Sequence, residues 1–259
     1  MYHLLRIFLF LVPLASFAQI NTEVYRKDYV NLGWIFSLDA TFEYSTGNTE
    51  ELSSENILRI DHNGLKQDYF TVVEYEFKTA NQEKTKNKAF IHFRYIRDIS
   101  KWFFWEAFAQ AQYDEFLLLN HRYLIGTGGR FDLASILAPG KDKETRKFDA
   151  FYGLGAMWET EQYNLEDSDP VFNLVRITSY LSLSYKPSET FRISVVSYYQ
   201  PEISEWADYR SRSNLELEIK ILKKLYFISK YDLLYRSRPV GNTLRTDFEI
   251  KNGIRVRLP

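Results

Sequence analysis

The chain has 259 residues, with 33 Lys and Arg against 34 Asp and Glu and a formal net charge of −1. This near-neutral balance gives no electrostatic footprint for nucleic acid, so we expect no nucleic-acid partner. Cysteine is absent, which excludes disulfides, thiolate metal sites and cysteine nucleophiles. The chain combines 17% aromatic with 26% charged residues, and aromatic rings with a polar tip are favoured at membrane–water interfaces.

The first 18 residues have the pattern of a secretory signal peptide. Arg6 supplies a positive charge, residues 7–14 are apolar, and Ser16-Phe17-Ala18 places small residues where a signal peptidase cuts. We therefore predict cleavage after Ala18, export, and a single mature domain over residues 19–259. No later stretch has the roughly 20 consecutive apolar residues of a transmembrane helix, so a membrane-spanning structure must be built from strands.

Apolar and polar residues alternate along most of the mature chain, as in strands with one face in lipid and the other in a polar lumen. In the clearest segment, apolar residues at 215, 217, 219 and 221 alternate with Glu216, Glu218 and Lys220. A helix would scatter these charges over its core face. The pattern predicts an all-β chain, a single antiparallel transmembrane β-barrel of about 12 strands, at 34–44, 52–60, 69–78, 89–95, 105–113, 121–131, 148–158, 171–185, 191–199, 214–221, 225–236 and 247–258.

Turn-forming residues separate these segments. Short turns are predicted at His62-Asn63-Gly64, at 97–101 and at Lys186-Pro187-Ser188, and by parity they face the periplasm together with both termini. Outward loops are predicted over 81–86, 160–170, 201–208 and 237–244. The segment 134–146 would be the longest connection and falls on the periplasmic side, so the strand count and orientation stay open near 132–147.

Aromatic residues near the predicted strand ends are expected at the level of the lipid headgroups. They are Trp34, Trp102, Phe103, Phe104, Trp105 and Trp158. The alternative is that they form the core of a periplasmic β-sandwich binding module, whose strands also alternate with a period of two.

If the apolar face meets lipid, charges of both signs line the lumen. Neither sign dominates, which predicts a cross-strand salt-bridge network that braces the wall rather than a wide selective pore. A barrel of this size still leaves room for a narrow passage. The predicted lumen charge network consists of Asp39, Glu43, Arg59, Glu74, Glu76, Arg94, Glu106, Arg122, Arg176, Arg192, Glu216, Glu218, Lys230, Asp232 and Arg255.

Two groups of residues have the composition of ligand sites without the matching spacing. Gly126-Thr127-Gly128-Gly129 resembles a phosphate loop, but no Lys-Ser or Lys-Thr follows and it lies in a strand pattern, where Gly allows a bend or a bulky neighbour. An acidic group would either bind a divalent cation that bridges lipopolysaccharide or form a solvated loop, and it matches no calcium loop. It consists of Glu159, Glu161, Glu166, Asp167 and Asp169.

His92 and His121 are the only plausible catalytic bases. The alternation turns His92 towards the lumen and His121 towards lipid, and no Ser nucleophile is marked out beside either. We therefore expect no enzyme activity, no catalytic or metal-binding residue and no cofactor. The alternative is an outer-membrane hydrolase that acts on lipid or peptide.

Several short motifs follow one another in order along the chain. They are Ser45-Thr46-Gly47-Asn48-Thr49, Tyr95-x-Arg97 before Trp102-Phe103, Ala109-Gln110 ahead of Tyr113, Arg122 with Gly126 and Gly128, Gly153-Leu154-Gly155-Ala156 with Glu159, and Tyr199-x-Pro201 leading to Asp208-Tyr209-Arg210.

On these motifs, the chain resembles the domain-of-unknown-function 481 family, some of whose members are described as salt-induced outer membrane proteins. The resemblance implies an outer-membrane barrel of unestablished activity, with a structural or narrow-channel role in the envelope and a link to osmotic or salt stress. It carries over no catalytic or ligand residue. We expect outer-membrane lipid, lipopolysaccharide and the outer-membrane assembly machinery of a Gram-negative bacterium as partners.

Overall fold

The computed structural model describes residues 32–47, 50–137, 146–165, 168–223 and 225–256. The predicted signal peptide, residues 138–145 of the predicted connection 134–146, and two members of the acidic group, Glu166 and Asp167, lie outside these ranges. The described residues form β1 (Gly33–Ser45), β2 (Glu51–Asn63), β3 (Gln67–Ala80), β4 (Glu83–Asp98), β5 (Phe103–Asp114), a 3₁₀ helix (Glu115–Leu117), β6 (Leu119–Asp132), α1 (Leu133–Leu137), β7 (Phe148–Tyr163), β8 (Val171–Ser188), β9 (Phe191–Pro201), β10 (Tyr209–Leu222), β11 (Leu225–Arg236) and β12 (Thr246–Val256).

Each strand pairs with the next along the chain in one antiparallel sheet of twelve strands. The connections β2–β3, β4–β5, β6–β7, β8–β9 and β10–β11 lie at one end, here called the turn end. The other six connections lie at the opposite end, here called the loop end. Within the described ranges, no helix is long and apolar enough to cross a bilayer.

The sheet curls back on itself. Lys86 on β4 donates from Nζ to Glu249 Oε1 on β12 at 2.9 Å, although a flat sheet with strands ~4.8 Å apart would separate β4 from β12 by about 38 Å. Arg236 on β11 likewise donates from Nη1 to Tyr163 Oη on β7 at 3.0 Å. Such contacts need a sheet rolled around a shared interior. The predicted fold class, an all-β antiparallel barrel, is confirmed.

The two faces of the sheet are the reverse of those in a water-soluble protein. Side chains such as Arg122, Arg176 and Glu159 are at most 2% exposed, whereas Phe36 and Phe42 are 67% and 72% exposed. Charged groups are almost never fully buried in soluble domains unless they are paired, and large apolar patches are rarely exposed. One rolled sheet with an apolar outer face excludes the β-sandwich alternative for the described residues.

Several strands extend beyond their predicted limits. β7 continues to Tyr163. β4 begins at Glu83, so the predicted loop 81–86 is wrong. It is a two-residue turn in which Asn81 and Gln82 have φ angles of 52° and 67°, as the tight turns of hairpins require. Outside the apolar band a strand is polar on both faces, so the alternation stops before the strand does.

The predicted turn at residues 186–188 is also misplaced. β8 continues to Ser188, and the turn consists of Glu189 and Thr190. Pro187 is tolerated in the strand because the register between β8 and β9 shifts between Tyr185 and Ser188, and a proline fits where a ladder is interrupted.

Four predicted interfacial residues are exposed on the outside, since Trp34, Trp102, Trp105 and Trp158 are 40–57% exposed. The prediction is wrong for Phe104. Its ring packs inside the barrel against a buried cluster of Phe70, Val72, Phe90 and Ile96. Neighbours in a strand point to opposite faces, so three consecutive aromatic residues cannot all face lipid.

Glycines of β6 and β7 let other groups approach the wall closely. Gly128 pairs with Gly155, and a Cβ on Gly128 would lie 2.5 Å from the Leu154 carbonyl oxygen. A Cβ on Gly153 would lie 2.0 Å from the Tyr180 ring. The segment Gly126–Gly129 is therefore a strand whose glycines make room for neighbours, and Tyr180 lies across the inner wall above Gly153.

We predict that Gly153→Ala destabilises the barrel by about 1–3 kcal/mol, the usual cost of forcing an extra carbon into a packed interior. Gly253→Ala is the matched control, because nothing lies within 4 Å of a Cβ at that position. The free energy of unfolding, measured by urea titration in lipid vesicles, tests the difference. Removing the ring with Tyr180→Ala should abolish the extra cost of alanine at 153. Equal costs at 153 and 253 would contradict the packing described above.

Candidate functional site

Two carboxylates of β7 form the centre of an ionic network inside the barrel. Glu159 and Glu161 are 0% and 1% exposed. The prediction of a solvated acidic loop is wrong for both residues, because β7 continues to Tyr163 and its alternation turns every second side chain inward. Asp169 lies in the described part of the loop.

Three guanidinium groups surround these carboxylates. Arg122 on β6 donates from Nε to Glu159 Oε2 at 2.9 Å, and Arg176 on β8 donates from Nε to Glu159 Oε1 at 2.6 Å. Arg210 on β10 donates from Nη1 to Glu161 Oε1 at 2.6 Å and lies 3.2 Å from Glu159 Oε1. The planar fork of arginine suits such buried, multidentate pairing better than lysine does.

The network continues across the interior to β11. Tyr163 Oη donates to Glu161 Oε2 at 3.0 Å and accepts from Arg236 Nη1 at 3.0 Å. Arg176 also pairs with Asp208, whose side chain is 21% exposed. We call the seven buried members the β7 cluster: Arg122, Glu159, Glu161, Tyr163, Arg176, Arg210 and Arg236.

The β7 cluster carries an excess of positive charge. Its four arginines face two glutamates, and pairing of Arg176 with Asp208 reduces the excess from two charges to one. Removing one partner from a buried network leaves an uncompensated charge, which is strongly unfavourable. The cluster therefore holds β6, β7, β8, β10 and β11 in one arrangement.

A second group of charges lies nearer the middle of the barrel. Arg94 Nη1 donates to Glu106 Oε2 at 3.0 Å, which also accepts from Tyr180 Oη at 3.1 Å. Because Tyr180 is on β8 and Glu106 on β5, this bond crosses the interior. The cavity beside them, lined also by His92 and Tyr198, has a volume of about 20 Å³, which is enough for about one water molecule.

Aromatic rings complete the packing around the buried guanidinium groups. Arg59, Arg94 and Arg130 lie over the rings of Phe70, Phe108 and Phe151, with 4.7, 5.2 and 3.9 Å from Cζ to the ring centroid. Cations over aromatic faces are attracted by the ring quadrupole, more strongly where water is excluded. Part of the interior is therefore apolar, although the alternation suggests a wholly polar lining.

One side of the interior, here called the hydrated side, is accessible to solvent. Lys86 and Lys88 are on β4 and their side chains are 30% exposed. Lys86 pairs with Glu76 at 2.7 Å and Glu249 at 2.9 Å, and Lys88 pairs with Glu76 at 2.8 Å. Lysine is the more strongly hydrated cation. The lysine pairs accordingly lie on the hydrated side, and the arginine pairs lie where water is excluded.

Connections at the loop end contact one another across the barrel. Gly241 of the β11–β12 loop lies against Leu165 and Leu118, which belong to the β7–β8 loop and the β5–β6 turn. Lys84 Nζ donates to Glu115 Oε1 at 2.8 Å. Hydrogen bonds from Lys84 and Asn87 hold the pKa of the Glu115 carboxyl below its usual range. The loop end is thus partly covered by its own connections.

The strand register places the predicted lumen charges at inward positions. Arg94 pairs with Glu106. Arg122 and Arg176 both donate hydrogen bonds to Glu159. Asp232 pairs with Arg212 at 2.9 Å. The side chains of Asp39 and Arg255 lie outside the described part of the structure. The remaining predicted members lie in the same inward register: Glu43, Arg59, Glu74, Glu76, Arg192, Glu216, Glu218 and Lys230.

The two candidate histidines lie on opposite faces of the wall. His92 is buried in the interior, where its Nδ1 is 3.1 Å from Gln110 Oε1. His121 is on the outer face beside Tyr123, with ring centroids 5.2 Å apart. No group of three or more histidine or carboxylate side chains suited to a metal ion occurs in the described ranges.

These features define an antiparallel β-barrel with an ion-paired interior and an apolar outer face. The chain belongs to the family described as "Protein of unknown function, DUF481", whose sequence profile matches residues 33–256. No curated protein matches the chain.

Two solved structures are similar to the chain. One is described as a NanC porin structure in a rhombohedral crystal form, with 11% identity over 87% of this chain and 99% of that chain and a TM-score of 0.49. The other is the β domain of the Bordetella autotransporter BrkA, with 10% identity over 86% and 97% of the two chains and a TM-score of 0.34.

Motifs that carry the family resemblance meet inside the barrel. Arg122, Glu159 and Arg210 are members of the β7 cluster, and Asp208 pairs with its Arg176. Gly153 lies directly beneath the Tyr180 ring. Segments far apart in the sequence thus contribute to one structural feature.

We predict that Glu159→Gln lowers the free energy of unfolding by about 3–5 kcal/mol, because buried Arg122 and Arg176 lose the charge that compensates them. The exposed pair of Glu205 with Arg238 supplies the control, and Glu205→Gln should leave stability unchanged within error. Urea titration in lipid vesicles measures both. A Glu159→Gln barrel as stable as the control would show that the network does not brace the wall.

Proposed function

We propose that the protein is an outer-membrane β-barrel of a Gram-negative bacterium, exported through a cleaved signal peptide, and that its braced interior gives it a structural role in the envelope. The observation that carries the proposal is the reversal of the two faces. Ionic groups at most 2% exposed line the inside, while phenylalanine and leucine side chains more than 60% exposed cover β1. Such an outer face is stable only against an apolar solvent.

The height of the apolar band supports this location. Trp34 and Tyr44 lie at opposite ends of β1 and are each 57% exposed, with Phe36, Leu38 and Phe42 exposed between them. Ten residues span about 33 Å along a strand, or about 25 Å along the axis of a barrel whose strands tilt by ~40°. This matches the ~25 Å band between the aromatic girdles of outer-membrane barrels.

Leu217 tests the contact with lipid, because it occupies an outward position of β10 between the inward-facing Glu216 and Glu218. We expect Leu217→Arg to cost about 2–4 kcal/mol more than Leu217→Ala, since an arginine near the middle of the bilayer is desolvated. The alanine variant controls for the lost side chain. Unfolding titrations in vesicles measure the difference, and the prediction fails if the two variants unfold alike.

A structural role is favoured over an open pore because bonds cross the interior at several places. Arg210 joins β10 to β7, Tyr180 joins β8 to β5, and Lys86 joins β4 to β12. A narrow passage is the second candidate, favoured by the partly exposed Lys86 and Lys88. Any such path would run along the hydrated side.

Planar bilayers distinguish these two candidates. For a structural barrel we expect no stepwise current at any of several voltages and salt concentrations. Steps from the wild-type protein would favour the narrow passage. If it runs along the hydrated side, Lys86→Ala should change the size of the steps, whereas Arg238→Ala, an exposed control at the loop end, should not.

The link to osmotic or salt stress, lipopolysaccharide contacts and the assembly machinery remain proposals that rest on the resemblance and on the expected location. A strain that lacks the gene, compared with its parent at raised NaCl, tests the stress link. Nothing among the described residues favours the hydrolase alternative, since His92 contacts Gln110 and His121 lies on the outer face.

A further inference from the structure

The loop between β9 and β10, residues 202–208, first continues the barrel wall beyond the end of β9. Glu202 forms an isolated antiparallel bridge with Arg176, and Ile203 N donates to the Val175 carbonyl oxygen at 2.9 Å. Side chains of an extended segment alternate between faces. Glu202 is therefore buried towards the interior, and Ile203 faces outward beside Val175.

Ile203 extends a row of apolar residues on the outer face. Ile125 pairs with Trp158 and Trp158 pairs with Val175, and all four side chains are 40–60% exposed. The row reaches from β6 to the β9–β10 loop at the level of Trp158. The loop is thus continuous with the apolar band.

Aromatic rings flank the other side of the loop. The ring centroids of Tyr199 and Tyr209 are 5.5 Å apart, and those of Tyr209 and Tyr235 are 6.0 Å apart. All three residues occupy outward positions of β9, β10 and β11. The loop therefore lies between two parts of the ring of side chains expected at the bilayer surface.

Trp206 is 60% exposed in a turn that also contains Glu205 and Asp208. The turn is held in place, because Asp208 N donates to the Glu205 carbonyl oxygen at 2.8 Å and Arg238 Nη1 donates to Glu205 Oε2 at 2.6 Å. Tryptophan is favoured where one side is apolar and the other is wet. A fixed turn that follows Ile203 and exposes an indole has the composition of an interfacial anchor.

We propose that the β9–β10 loop, through Ile203 and Trp206, docks onto lipid at the boundary between headgroups and acyl chains in the leaflet at the loop end. This rests on the proposed location of the barrel in a membrane. Because Ile203 continues the outer row of Ile125, Trp158 and Val175, lipid is the partner that we expect this loop to contact.

Two single-tryptophan proteins test the proposal. In one, the other four tryptophans are replaced by phenylalanine and only Trp206 remains. In the other, only Trp158 remains, as the control on the wall. Both are reconstituted in phosphatidylcholine vesicles whose acyl chains carry bromine at a shallow or a deep position, and fluorescence is also measured with aqueous iodide. Bromine in both leaflets makes the result independent of the orientation of the barrel.

We expect shallow bromine to quench Trp206 more than deep bromine does, with weak quenching by iodide. Strong quenching of Trp206 by iodide alone, with Trp158 quenched by bromine, would overturn the anchor and leave the membrane barrel intact. Protection of Trp206 from both quenchers would also overturn it, because protein would then cover the loop. Absence of bromine quenching for Trp158 as well would overturn the proposed location itself.

A second measurement covers the case in which a single-tryptophan protein does not fold. Trp206→Phe and Trp158→Phe in the otherwise unchanged protein each remove one emitter. The difference from wild type gives the quenching of the missing indole. Trp206→Phe should remove emission that shallow bromine quenches and iodide spares, and loss of iodide-quenched emission would overturn the proposal.

Discussion

The pairing of ionic groups inside a rolled wall is the constraint on which this structure depends. Once the outer face is apolar, the inner positions of the strands carry the charges, and many of these charges are shielded from water. Each buried carboxylate then needs cations from other strands. Glu159 and Glu161 meet this need with arginines from β6, β8 and β10. The curvature that brings these strands together is therefore also what pairs the buried charges.

Access to water differs between the carboxylates that pair with arginine and those that pair with lysine. Arg122 and Arg176 are at most 2% exposed and reach their partners with several N–H groups. Lys86 and Lys88 pair where water still has access. The interior therefore has a dry, arginine-rich part that braces the wall and a hydrated, lysine-containing part beside it. An apolar cluster around Phe70 and Phe90 fills further space.

Alternation along the sequence predicts the twelve strands and their faces, because lipid and lumen impose a period of two at every spanning position. The pattern fails where that constraint ends. Glu159 and Glu161 look like part of an acidic loop because β7 leaves the apolar band before them. Arg210, which the sequence brings in only as part of a family motif, is missing from the predicted lumen charges for the same reason. Continuing the parity of Glu216 and Glu218 back along β10 would have found it. Partners across the lumen, such as Tyr180 and Glu106, leave no local pattern.

The β7 cluster has a consequence for how the barrel is built. Its members span residues 122–236, and Arg210 and Arg236 belong to strands that follow β7 by three and four positions. A partly assembled sheet that ends at β8 would contain Glu161 without the guanidinium group of Arg210. Such an intermediate lacks the two hydrogen bonds that Arg210 donates to Glu161, and addition of β10 and β11 completes the network with Arg210 and Arg236. Completion of the wall is thereby made cooperative, because the late hairpins stabilise strands laid down well before them.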